Sequence, residues 1–165
     1  MANLNNDKKA NEAKKDSGVD AGTTVFPHES VGSSALYKTL VDSLPLSVLI
    51  KDKQGKRLFA NASYLKWRGV ELEAVVGKVD SDLFPPHIAK QYSADDQQVL
   101  REGKALHNVE LTPNKSGEEC WIERVKSPIV DRSGSIIGLQ VMFWDVTDRI
   151  RAEEHLQNER HLLNH

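Results

Sequence analysis

The feature that most restricts this fold is the run from Gly134 to Arg149, GSIIGLQVMFWDVTDR, where a strand pattern passes into a helix start with no loop between them. Ile137, Leu139, Val141 and Phe143 share one parity, which puts them on one sheet face; Ile136, Gln140, Met142 and Trp144 take the other. Neither parity is cleanly polar, so an inner strand is expected, with one face on a core and the other partly covered. Thr147 is expected as the helix N-cap and Asp148 sits favourably in the first turn. From Arg149 to His165 there is no Pro or Gly. A displacement of the sheet at Phe143 would then reach the helix through very few rotatable bonds.

A chain of 165 residues, 39% hydrophobic, can hold one domain with a real core and little more. Its net charge of -2 leaves no electrostatic footprint for nucleic acid or an acidic membrane surface. The single cysteine, Cys120, excludes an intramolecular disulfide framework and fits a reducing compartment. No run approaches the roughly twenty apolar residues of a membrane span, and the N-terminus lacks the apolar core of a signal peptide. A cytoplasmic module without direct membrane contact is expected, although a longer parent chain could carry an anchor.

Residues 1–33 are rich in Asn, Lys, Asp, Gly and Thr with almost no periodic apolar positions, and are expected to form a disordered tail. Residues 34–46 read as a helix capped by Ser33 or Ser34 and ended by Pro45, with Leu36, Tyr37, Leu40, Val41 and Leu44 as its apolar stripe. Two strands follow, Leu46 to Lys51 and Lys56 to Ala60, joined by a tight turn at Asp52 to Gly55. Asn61 can cap a helix stopped by Gly69; another short turn closes at Gly77. A longer helix is expected from Ile88 to Glu102, buried through Ile88, Tyr92, Val99 and Leu100. Leu106 to Thr112 and Glu119 to Ser127 read as a hairpin, and residues 128–135 as a longer connection into the last strand. The whole is an α+β domain with one antiparallel sheet and its helices gathered on one side.

These residues resemble a PAS domain of the type found in bacterial sensor histidine kinases and diguanylate cyclases. The likeness covers about Leu36 to Arg151. It rests on Lys51, Asp52 and Gly55, then Asn61 and Tyr64, then Gly77, Lys78, Asp80, Asp82, Leu83, Phe84 and Pro85. It continues through Asp96, Val99, Leu100 and Gly103, through Gly117, Glu118, Trp121, Lys126 and Pro128, and through Asp131, Gly134 and Gly138. It closes on Asp145, Val146, Thr147, Asp148 and Arg149, similar to the Asp, Ile or Val, Thr signature that ends such domains. The order and spacing of these residues together carry it.

The resemblance implies a five-stranded antiparallel sheet in the order 2-1-5-4-3 over residues 47–146, cupping a small pocket under the helices. It implies sensing or association rather than turnover, and it makes Asp145, Val146 and Thr147 the joint to an output helix over residues 147–165. It puts Leu139, Val141 and Phe143 on the pocket floor, although apolar parity by itself is what any core strand shows and reads first as plain core. On the same inner face it places Asn108, Glu110 and Thr112 of the third strand and Arg124 and Lys126 of the fourth, with Ile122 in competition with Trp121 and Val125 for the buried side. Glu110 near Arg124 or Lys126 would make either a net positive pocket for a carboxylate or phosphate, or a cross-strand ion pair with no ligand role.

No cofactor is expected. Haem-binding relatives carry an axial His in the long helix, where residues 88–103 have none, and His87 beside two prolines is a poor substitute. Flavin-binding light sensors carry an Asn-Cys-Arg motif, absent here, which leaves noncovalent flavin open. His161 and His165 fall on one helix face, but an exposed pair is ordinarily solvated and no metal is expected. Asp80 and Asp82, or Asp95 and Asp96, are read as caps and helix-start charges rather than paired acids. No phosphate-binding glycine loop, catalytic triad, ATP-binding box or cyclase signature is present, so no enzyme activity is expected of this chain. The expected partners are a second copy, through Leu36, Leu40, Met142 and Trp144, an effector domain on the same polypeptide, and a small ligand. Ala152, Leu156 and Leu163 at near-heptad spacing allow a coiled coil or a solvated helix.

Overall fold

The computed structural model describes residues 30–163, with side chains from residue 34 onward. The expected tail therefore lies largely outside the described residues, as does His165. Helix α1 spans Ser30–Asp42, then β1 Ser47–Asp52, β2 Arg57–Ala60, α2 Ala62–Arg68, a 3-10 turn Leu72–Ala74, α3 Asp80–Leu83 and α4 Pro86–Glu102. Strands β3 Leu106–Pro113, β4 Glu119–Val130 and β5 Ile136–Asp145 follow, and α5 runs Thr147–Leu163. The strands form one antiparallel sheet in the order β2-β1-β5-β4-β3, as the resemblance implied.

Strand β5 is central, paired along β1 on one side and β4 on the other. Its inner residues Leu139, Val141 and Phe143 are buried and join Leu49, Tyr64, Val75, Val99 and Ile122 in the core. Gly138 is required at the β1 seam: a Cβ there would run into the Lys51 carbonyl oxygen. Asn61 ties α2 to the sheet, its Oδ1 accepting from the Val48 and Tyr64 amides at 2.9 and 3.0 Å while Nδ2 donates to the Leu46 and Val41 carbonyls.

Two β-bulges interrupt the sheet, and the one between β4 and β5 corrects the parity expected for the last strand. Between Ile129/Val130 and β5 the register slips by one residue, leaving Ile137 unpaired and 51% exposed rather than on the Leu139 face. In the first hairpin, Ile50 faces Phe59 but Lys51 faces Arg57, so Leu58 is the extra residue and is thrown into solvent. Without that slip Arg57 would lie on the face opposite Lys51.

Three boundaries also differ. Helix α1 begins at Ser30, so Ser33 and Ser34 lie inside it, and it stops at Asp42 because the residue before Pro45 is disfavoured in helical geometry. Asp42 instead accepts the Ala62 amide hydrogen bond at 2.9 Å. Strand β4 continues to Val130, and the expected long connection is a tight turn in which Asp131 accepts from the Ser133 and Ser135 amides. Pro128 is tolerated because β3 pairing ends at Lys126, so no neighbour needs its missing N–H. On α4 the buried residues are Ala89, Asp96 and Val99, with Ile88, Tyr92 and Leu100 only half-buried.

Candidate functional site

Alternation along β1 points Leu49 and Lys51 to the helix side, and the first bulge brings Arg57 beside them. Lys51, Arg57 and Lys126 are at most 3% exposed, so their charges need partners. Helix α3 supplies Asp80, whose carboxylate takes Lys51 Nζ at 2.8 Å and Arg57 Nη2 at 2.6 Å. Helix α4 supplies Asp96, which takes Lys51 Nζ on one oxygen and Lys126 Nζ on the other, both at 2.6 Å. Lys126 also donates to the Tyr92 carbonyl at 3.1 Å and lies 3.9 Å from Asp95. One chain of charges thus links β1, β2 and β4 to the two helices above them.

The electrostatics follow this geometry. Burial by itself would raise the Asp80 carboxyl, but Lys51 and Arg57 outweigh it and hold the group below its ordinary range. Burial pushes the Lys126 ammonium below the usual lysine range, with Lys51 adding to the effect and Asp96 opposing it. Burial raises the Tyr92 phenol.

Beside this network lies a cavity of about 90 Å³ between the sheet and α2, α3 and α4. Trp67, Phe84, Tyr92 and Phe143 form its aromatic walls, Phe143 meeting Tyr64 and Trp67 edge-on at 6.0 and 6.1 Å and Phe84 meeting Tyr92 at 5.2 Å. The guanidinium carbons of Arg68 and Arg57 lie 4.5 and 5.7 Å from the Phe84 centroid, and that of Arg124 lies 4.9 Å from Tyr92. Two buried polar atoms among its lining residues have no hydrogen-bond partner: Arg57 Nε and the Tyr64 hydroxyl.

Of the residues expected at a ligand pocket, Thr112, Ile122, Arg124, Lys126, Val141 and Phe143 line this cavity. Asn108, Glu110 and Leu139 do not. Leu139 is fully enclosed in the core. Glu110 pairs with Arg124 alone, because the register sets it opposite Ile122 while Lys126, opposite Leu106, turns to Asp96. Trp121 and Val125 face outward, which leaves the inner face of β4 to Cys120, Ile122, Arg124 and Lys126.

Asp80 does open α3, but reading Asp96 as a helix-start charge is corrected, since it lies in the middle of α4, and both are buried ion partners. The signal was available, since Asp96 stands on the same helix stripe as Tyr92 and Val99, and Lys51 shares the parity of Leu49. Arg57 had no such signal, because only the bulge turns it inward. His87 is exposed in the first turn of α4 and does not line the cavity. No group of His, Cys, Asp and Glu among the described residues is arranged to hold a metal ion.

The joint between β5 and α5 is one residue long. Val146 donates its amide to the Trp121 carbonyl at 2.8 Å, and the Trp121 amide donates to the Thr147 hydroxyl at 2.9 Å, extending the β4 ladder into the helix. Thr147 is therefore not the N-cap expected; Asp145 Oδ1 accepts the Thr147 amide at 2.8 Å. Val146 and Thr147 are buried, and Arg149 adds a 2.8 Å bond to Glu123 of β4. Beyond Ile150 the helix is exposed throughout, including Leu156 and Leu163. No helix among the described residues is long and apolar enough to cross a membrane.

Comparison with known proteins agrees with this architecture. A family model described as PAS fold matches residues 41–151, and the chain belongs to that family. It is 32% identical over 124 residues to a diguanylate cyclase of Vibrio cholerae, and 25% identical over 122 residues to histidine kinase 5 of Arabidopsis thaliana. Those matches take in 74% and 73% of this chain but 39% and 13% of the two relatives, so the chain corresponds to one part of larger signalling proteins. Among solved structures, the PAS domain of Bordetella pertussis BvgS superposes with a TM-score of 0.62 at 22% identity, covering 79% of this chain and 98% of that one. The VqmA-ligand-DNA complex of Vibrio cholerae superposes at 0.61 and 23% identity, covering 73% of this chain and 53% of VqmA.

Proposed function

We propose that this PAS domain senses a small molecule in the cavity above Phe143 and passes its occupancy through the Thr147 joint to α5 and an effector on the same polypeptide. The observation that carries this reading is the pair of buried donors, Arg57 Nε and the Tyr64 hydroxyl, left without partners at a cavity whose far wall is the strand that becomes α5. Ile122 lines the cavity and is the chain neighbour of Trp121, which holds Thr147 and Val146 through its backbone. A guest that shifts β4 relative to β5 would therefore bias the direction in which α5 leaves the sheet. The relatives named for cyclase and kinase activities suggest an effector of one of those types, with the catalytic step outside this domain. The reading needs no cofactor.

A thermal-shift screen with small metabolites tests it, since a guest confined to the folded form must raise the melting temperature. The expected result is a hit that weakens in Tyr64→Phe. Hits unaffected by Tyr64→Phe and Phe143→Leu would place binding elsewhere and end the reading.

One observation favours a second role in self-association. Leu36, Tyr37 and Leu40 are 46–53% exposed on α1, and Met142 and Trp144 are half-buried on the outer sheet face. A homodimer packing these surfaces together would cover both. Light scattering of the wild type and of Leu36→Glu/Leu40→Glu tests this: a dimer that becomes monomeric supports it, and a monomeric wild type rejects it.

A further inference from the structure

The charge balance of the cavity goes a step further and, resting on the reading that this cavity takes a ligand, points to the ligand's chemistry. Lys51, Arg57, Arg68, Arg124 and Lys126 all line it, with Asp80 as the one carboxylate among the lining residues. Behind the lining stand Asp96 against Lys51 and Lys126, Glu110 against Arg124, and Asp95 near Lys126. Five cations thus face the four carboxylates that lie within 4.0 Å of any of them. The surplus is at Arg68, which has no carboxylate within 4.0 Å among the described residues and is held over the Phe84 ring. Arg57 stands at the same ring, and its buried Nε, which can only donate, has no acceptor. The Tyr64 hydroxyl is likewise unpartnered.

Beside Phe84 the lining carries two guanidinium groups, Arg68 without a carboxylate and Arg57 with an unpartnered Nε; elsewhere it offers ring surface from Trp67, Tyr92 and Phe143. We infer that the cavity selects a compact monocarboxylate with a flat apolar body, its carboxylate drawn to Arg68 and Arg57 and its body held among the aromatic rings. A carboxylate supplies two acceptor oxygens and cancels the single surplus charge. A dianion would overshoot it, and a neutral guest would leave Arg68 uncompensated.

The test is calorimetric titration of the purified chain with matched acid and amide pairs, acetate with acetamide, propanoate with propanamide and benzoate with benzamide. The expected result is that the acid of at least one pair binds about tenfold tighter than its amide, the scale of one charge-assisted hydrogen bond. Arg68→Gln, at a half-exposed position, should remove that preference, the acid falling to the affinity of its amide. Amides binding as tightly as acids would overturn the inference yet leave the cavity as a ligand site. An acid preference that survives Arg68→Gln would overturn the assignment to Arg68 and Arg57. Failure of every acid and amide to bind, together with a blank thermal-shift screen, would overturn both the inference and the reading beneath it.

Discussion

The two faces of the sheet reverse the usual placement of side chains. Toward the helices, Lys51, Arg57, Arg124 and Lys126 are buried among Leu49, Ile122 and Val141; toward solvent, Val109 and Leu111 are 40% and 46% exposed. Lys51, Arg57 and Lys126 are fixed by partners on α3 and α4 and Arg124 by Glu110 of β3, so that face should be intolerant of change. The outer face has few fixed partners and should tolerate substitution until a second surface covers it. Buried charge on that face carries a desolvation cost that an apolar lining of the same volume would avoid.

The strongest way to break this contrast is Asp80→Ala, which leaves Lys51 and Arg57 buried without their shared acceptor. A loss of about 3–5 kcal/mol is expected, seen as a lower urea midpoint. The same carboxylate gives the pH dependence its sign. Its folded pKa is depressed, so its contribution is complete above the unfolded value of about 4 and disappears as pH falls through the folded one. Asp80→Asn should flatten that acid limb. Lys126 acts at the other end: its folded pKa is lowered, so stability should rise as pH climbs through that value toward the unfolded one.

Next in size is Gly138→Ala, where the added methyl meets the Lys51 carbonyl and forces β1 from β5; overpacking of this kind costs about 1–3 kcal/mol. Thr147→Val should cost about 1–3 kcal/mol by leaving the Trp121 amide without its acceptor, and should speed hydrogen exchange at Trp121. In a chain carrying its effector, Asp145→Ala/Thr147→Ala should uncouple regulation while the domain stays folded. The smallest effect is expected from Leu111→Ser on the outer face, within about 0.5 kcal/mol. A large loss there would mean that the outer face is already covered and the contrast is wrong.

Much of this was legible in the residues. Alternation from Ile136 to Trp144, the Asn114–Gly117 turn and the helix stripe ending at Gly103 led to the strands and to α4 within a few residues. The cavity was legible only in part. Phe143, Val141, Arg124 and Lys126 sit on strands whose parity could be followed, whereas Tyr64, Trp67, Arg68 and Phe84 come from short helices whose orientation no local pattern sets. Thr147 was placed at the right joint but with the wrong partner, because its hydroxyl answers a backbone amide 26 residues away.

By itself the sequence determined the sheet, the unbroken passage from β5 into α5, and the kinds of charge available to the interior, because these follow from periodicity, turn chemistry and residue type. The tertiary structure alone decided which charges meet. A one-residue bulge at Leu58 turns Arg57 to the side of Lys51, and two helices distant in sequence bring Asp80 and Asp96 down on them. Register and long-range packing select those partners, and neither is written in any single stretch of chain.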